Sequence, residues 1–186
     1  MKRYLAAVLL LLILCGCRKS DGEIDKVMQL REKLMASEET SFTVGITADY
    51  GERIFHYKIS CKADKDETLH FNVIEPEEIS GLTGTISRSG GKITFDDVAL
   101  AFDLLADGQV SPISAPWLLL HTLRGGYLLS CVNEGELLRV EINDSYEERA
   151  LRLDIWLNEQ GSPVNAEVLW DGKRIVTMTV EDFTIL

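Results

Sequence analysis

Cysteine, proline and histidine are scarce in this 186-residue chain, with four, four and three copies. So few cysteines exclude a disulfide-dense scaffold. So little proline, beside 14 glycines, excludes collagen-like and linker-like chains. Positive charge is also short: 19 Lys and Arg stand against 30 Asp and Glu, for a formal charge of −11. Without a basic stripe, an acidic body repels phosphate backbones, which excludes nucleic acid as a partner. What the chain does have is 46% hydrophobic residues, too many for a disordered polymer. At this length that supports one globular domain burying roughly 70% of its unfolded surface.

Signals for catalysis are missing as well. His56, His70 and His121 are far apart and lack metal-ligand spacing, so no metal or cofactor is expected. Gly90-Gly91 joins two expected strands and does not open a helix, unlike a phosphate-binding loop. No Gly-x-Ser-x-Gly elbow occurs. The carboxylate pairs Glu77-Glu78, Asp96-Asp97 and Glu147-Glu148 fall in turns or on strands, where neighbours are solvated or point apart. The expectation is a protein that is not an enzyme.

The amino terminus reads as a processing signal. Lys2 and Arg3 precede the apolar run Leu5 to Leu14, which is shorter than the roughly 20 residues a membrane-spanning helix needs. It has the length of a signal-peptide core. Next comes Leu14-Cys15-Gly16-Cys17, which resembles the bacterial lipobox. The resemblance implies cleavage before Cys17 and a diacylglycerol on its thiol, with two or three acyl chains such as palmitate on the protein in all. Leu14 is too large for Cys15 to be the modified residue. Acyl chains contribute about 0.8 kcal/mol per buried methylene, so an acidic body is no obstacle to anchoring. The expected organisation is a leader over residues 1–16, a lipidated cysteine and polar tether over 17–23, and one domain over 24–186.

Ser20-Asp21-Gly22-Glu23 has capping-box spacing. Behind it Ile24, Val27, Met28, Leu30, Leu34 and Met35 recur on one arc, predicting an amphipathic helix of about three turns. From Ser41 the period drops to two. Phe42, Val44, Ile46 and Ala48 alternate with polar residues, Tyr50-Gly51-Glu52 turns the chain, and Ile54 to Cys61 and Leu69 to Ile74 follow as strands. Leu82 to Arg88 and Lys92 to Phe95 read as a hairpin across Ser89-Gly90-Gly91. Val98 to Leu105 fits strand or helix. A second, largely apolar helix is predicted over Ser114 to Arg124, capped by Ser114 and stopped by Gly125-Gly126. Five more strands complete the chain: Tyr127 to Val132, Leu137 to Ile142, Ala150 to Leu157, Val164 to Trp170 and Arg174 to Val180, with Asp171-Gly172 as a hairpin turn. Nine or ten antiparallel strands and two helices give an α+β fold. One strongly twisted sheet wrapped around helices accommodates the Trp117 helix better than a two-sheet sandwich does.

In that order of elements the chain resembles the LolA/LolB-like superfamily of bacterial lipoprotein carriers and receptors. The likeness is carried by Asn72-Val73-Ile74-Glu75-Pro76 leading to Ser80-Gly81-Leu82, by Gly90-Gly91-Lys92-Ile93-Thr94-Phe95, and by Leu153-Asp154-Ile155-Trp156-Leu157 through Gly161-Ser162-Pro163 to Trp170-Asp171-Gly172. It implies a strongly curved antiparallel sheet, an open half-barrel, with helices covering its concave face. It further implies an apolar hollow for a lipid, an acyl chain or a lipoprotein. The lipobox aligns the chain with anchored members. Among these it is similar to the germination lipoprotein of spore-forming clostridia, which supports a cell-wall amidase. No arginine matches the latch residue of the soluble carriers.

Two functions from different classes follow. One is a membrane-anchored extracytoplasmic lipoprotein holding lipid or acyl chains, with Phe71, Phe95, Phe102, Trp117, Leu120, Trp156 and Trp170 as cavity-lining candidates. Aromatics at these spacings more often make ordinary core. The other is a non-enzymatic partner that positions or activates another envelope protein, such as a cell-wall or spore-cortex hydrolase. A continuous hollow favours the first; a filled interior with an exposed apolar patch favours the second. Cys61 and Cys131 share parity with apolar neighbours. They form either a disulfide closing a long loop, worth roughly 4 kcal/mol, or two separate buried thiols.

Overall fold

The computed structural model describes residues 21–95, 98–103, 105–106, 109–147 and 150–186. The lipobox and Cys17, the Asp96-Asp97 pair and Glu148 lie outside them. Helix α1 spans Asp21–Ala36. It buries only Val27, Leu30 and Leu34, while Ile24, Met28 and Met35 are exposed. The apolar arc expected from the sequence is therefore split. Residues at i, i+3 and i+7 form the one stripe that packs, and the flanking apolar positions face outward. At its C-terminal end the Ser37 hydroxyl donates to the Leu34 carbonyl at 2.9 Å.

Six strands follow as a meander: β1 Glu39–Asp49, β2 Ile54–Asp64, β3 Leu69–Glu75, β4 Thr83–Ser87, β5 Gly90–Phe95 and β6 Val98–Phe102. The ambiguous stretch after Val98 is thus a strand as far as Phe102. A short hairpin, β7 Leu105–Ala106 with β8 Gln109–Val110, leads to helix α2, Ala115–Gly125. A second meander then runs through β9 Tyr127–Glu134, β10 Leu137–Asn143, β11 Arg152–Leu157, β12 Pro163–Trp170 and β13 Lys173–Ile185.

Among the described residues the main sheet has eleven strands in the order β6-β5-β4-β3-β2-β1-β13-β12-β11-β10-β9. Each meander supplies one arm, and the first and last strands join them antiparallel in the middle, with Val44 opposite Val180 and Ile46 opposite Met178. The sheet is not closed: β6 and β9 are its two edges. A sandwich, the alternative architecture, is not what forms.

Register explains the core. Residues directly opposite on neighbouring strands point to the same face, and one face is apolar across the sheet. One row runs Ile142, Leu153, Val168, Val176, Ala48, all buried. A second runs Phe42, Cys61, Phe71, Gly84, Ile93, Leu100. Both helices share a single core with this face. Gly84 is required by close approach. A Cβ there would stand 2.4 Å from the Lys92 carbonyl oxygen and 2.5 Å from the Phe71 ring, and the backbone of a paired strand has no room to yield. Gly84→Val is expected to destabilise the chain by about 1–3 kcal/mol or more, read as a lower urea midpoint at unchanged slope.

Candidate functional site

Helix α2 is held from outside by the turn between β2 and β3. The Trp117 indole Nε1–H donates to the Glu67 carbonyl at 2.8 Å, and His121 Nδ1–H donates to the Glu67 carboxylate at 2.9 Å. One turn further on, the Arg124 guanidinium donates from both Nη atoms to the Asp64 carbonyl at 3.2 and 3.3 Å. Glu67 has φ 61°, a left-handed conformation few non-glycine residues adopt, and it presents carbonyl and carboxylate to the helix together. From the β1–β2 turn, the Tyr50 hydroxyl donates to the Val110 carbonyl ahead of α2. Burial, with Tyr57 close by, pushes the Tyr50 hydroxyl up to about 12, so it remains a donor across the ordinary pH range.

The interior beneath α2 is occupied except beside its first turn, where a cavity of about 280 Å³ opens. Trp117, Leu118, Leu119, Leu120 and Leu123 are all buried among strand side chains. Phe71 is likewise buried in the sheet row described above, and Trp170 packs partly buried at the border of the core. Phe102 lies over Gly91, where a Cβ would meet its ring at 2.0 Å. Trp156 is on the other face: it pairs with Arg139 in register, and its indole donates to the Glu134 carboxylate at 2.8 Å. The side chain of Phe95 lies outside what is described. The proposed lining residues thus divide between a packed core and the outer face, and of them Trp117 borders the cavity beside the first turn of α2.

Apolar surface emerges instead at the β6 edge. The row that begins at buried Phe42 ends at Leu100, which is 64% exposed, and Val98 on the same side of β6 is 60% exposed. Val98-Ala99-Leu100-Ala101-Phe102 carries no charge. Proteins normally blunt an edge strand with lysine, proline or a bulge; β6 has none of these within its five residues. The signal was in the sequence as an uncharged run, but its position at an edge depended on the strand order.

Cys61 and Cys131 are both free thiols in this structure. Their strands, β2 and β9, lie six places apart in the sheet order. Burial pushes both thiols up from their ordinary value, and nearby Glu23 adds to this at Cys131. Neither is an activated nucleophile. His56 bonds Thr47 on the outer face, and His121 is committed to Glu67. Among the described residues no group of three or more His, Cys, Asp or Glu is placed to hold a metal, and no helix is long and apolar enough to cross a membrane.

No protein-family model matches the chain, and no curated protein does. Solved structures with similar folds include an uncharacterized conserved protein from Thermus thermophilus, 12% identical over 88% of this chain and 87% of that one, with a TM-score of 0.48. A putative outer membrane lipoprotein-sorting protein domain from Vibrio parahaemolyticus is 8% identical over 86% and 91%, with a TM-score of 0.47. A LolA superfamily protein from Nitrosomonas europaea is 12% identical over 86% and 93%, with a TM-score of 0.44. At these scores the likenesses carry no ligand or partner over to this chain.

One titration is expected to be visible in stability. Asp144, in the loop after β10, accepts the Leu151 N–H at 2.9 Å. Burial nevertheless outweighs that bond and holds its carboxyl above the ordinary carboxylate value. The native state then keeps this proton more tightly than the unfolded chain does, so this group's contribution falls as pH rises from the ordinary value through the raised one. Asp144→Asn keeps the acceptor and should flatten that part of the profile, measured as urea midpoints across mildly acidic pH.

Proposed function

We propose that this chain is a lipid-anchored lipoprotein on the extracytoplasmic face of the cell membrane, and that its carrier-like fold is a non-enzymatic docking module for another envelope protein. The observation that carries this reading is the pairing of a filled interior with the uncovered strip at Val98 and Leu100. A hollow carrier would need its apolar space beneath α2, where leucine side chains already stand. Curvature of the sheet supports the fold assignment: Arg88 of the β4–β5 turn and Asp144 after β10 line one cavity with α2, although β4 and β10 are seven places apart in the sheet order. On this reading the helices cover the concave face of a bent sheet.

The anchor rests on the lipobox and Cys17. The exposed Ile24, Met28 and Met35 of α1 begin seven residues after Cys17 and suit a membrane-proximal face. The partner's chemistry follows from the strip. Asp96, Asp97 and Asp103 flank the uncharged strand in sequence, so a fitting partner presents an extended segment, alternately apolar, with basic residues at its ends. Acyl-chain binding is the second reading, favoured by the absence of any charge on the strip itself.

A photo-crosslinking side chain at Leu100, in membranes containing the intact protein, tests the two. Covalent adducts to a protein are expected, and they should disappear with Val98→Lys on the same face. Adducts only to lipid, or lipid copurifying in native mass spectrometry, would replace the docking reading with the carrier one. The mass of the amino-terminal peptide reports lipidation of Cys17 directly.

A further inference from the structure

We infer that the cavity beside the first turn of α2 binds a small zwitterion, an amino acid with an apolar side chain, its carboxylate taken by Ser114 and Arg88 and its ammonium by Asp144. The cavity holds about 280 Å³, just under the roughly 300–1,000 Å³ of sites for drug-sized molecules. It lies apart from the β6 strip and does not depend on what docks there.

Ser114, Trp117, Leu118 and His121 form one wall. They occur at i, i+3, i+4 and i+7, a single stripe of α2 continued back to its N-terminal residue. The wall is rigid, because the His121 ring stacks on Trp117 at 4.7 Å and 7° while its Nδ1 is tied to Glu67. Val110 and Leu151 complete the apolar lining.

Three polar groups give the site its chemistry. Ser114 is 1% exposed, yet among the described residues its hydroxyl has no hydrogen-bond partner. It stands where a capping side chain is expected and makes no cap bond, which corrects the role the sequence suggested for it. A buried hydroxyl without a partner is costly, and the N-terminus of an eleven-residue helix favours an anion beside it. Arg88, exposed on the β4–β5 turn, contributes the only guanidinium among the described lining residues. On the remaining side, Asp144 brings a carboxylate to the lining beside Ser145, with Oδ1 accepting the Leu151 N–H. A simple anion would meet Asp144 and a simple cation would meet Arg88. A molecule with both charges satisfies the two at once, and its side chain covers Trp117 and Leu118.

Calorimetric titration and thermal unfolding of the full chain with L-leucine, L-leucinamide and N-acetyl-L-leucine test this. Leucine is expected to bind and raise Tm, and each capped form, lacking one charge, to bind about tenfold more weakly or worse. Arg88→Gln, at an exposed position, should make leucine and leucinamide equivalent. Asp144→Asn should do the same for leucine and N-acetyl-leucine. Ser114→Ala should weaken leucine while leaving the unliganded chain as stable or more so. No heat and no Tm rise with leucine would overturn the inference, as would capped forms that bind equally well, since the cavity would then be water-filled or merely apolar.

Discussion

Leu119→Ala should lower the stability of this chain by roughly 2–5 kcal/mol. Leu119 is 0% exposed and sits on the face of α2 that shares its core with the sheet. The loss combines the transfer free energy of the removed isopropyl group with the cavity left behind. The measurement is urea unfolding, where the midpoint should fall at unchanged slope. The same variant bears on function. If α2 were a loose lid over a hollow prepared for acyl chains, truncating one of its leucines would widen the hollow at little thermodynamic cost. A full cavity-type loss means that the space around Leu119 is structural, which leaves acyl chains and partner segments to the β6 edge. Leu129→Ala, on the exposed side of β9, is the control and should change stability by about 0.5 kcal/mol or less.

Local chemistry was readable from the chain wherever one segment decides its own conformation. The alternation Phe42, Val44, Ile46, Ala48 is the buried face of β1. Asp171-Gly172 turns the β12–β13 hairpin with φ values of 48° and 72°, the pair of positive angles that favours this dipeptide. The two helices fall within a few residues of their expected limits, and α2 ends at the Gly125-Gly126 pair expected to stop it. Long-range pairing left no such mark. Nothing in β1 or β13 alone says that they meet in the middle of the sheet, and that pairing makes β6 and β9 the edges. Without knowing the edges, the exposure of Val98 and Leu100 could not be separated from burial, since both give an uncharged apolar run. The arc of α1 failed for a related reason: periodicity shows which residues share a side, whereas the width of the packed stripe depends on what the helix rests against. Trp156 shows the limit for aromatics, because an indole that finds a carboxylate acceptor is stable on an outer face.

That outer face carries the second large effect. Asp154 is 5% exposed, and in register it stands between Glu141 and Glu167, like charges that oppose one another across strands. Three arginines offset them: Arg139 reaches Glu141, Arg174 reaches Glu167, and Arg152 approaches Asp154 with Nε 3.0 Å from Oδ1. The Arg152 Nη2 donates to Oδ2 at 3.4 Å, whereas the closer Nε contact is not aligned as a hydrogen bond. Burial is the largest influence on Asp154 and raises its carboxyl above the ordinary value, with Arg152 the main opposing charge. Arg152→Leu therefore strands a buried carboxylate between two others and should cost about 2 kcal/mol at neutral pH, kept below the range for fully buried pairs because Arg152 is itself part-exposed. The stranded carboxyl then gains more by taking up a proton, so the deficit should shrink as pH falls. Adding Asp154→Leu removes both the charge and its desolvation, and the double variant should recover most of the loss. A double variant as unstable as Arg152→Leu alone would mean that the arginine acts by packing its stem over the strand rather than by its charge.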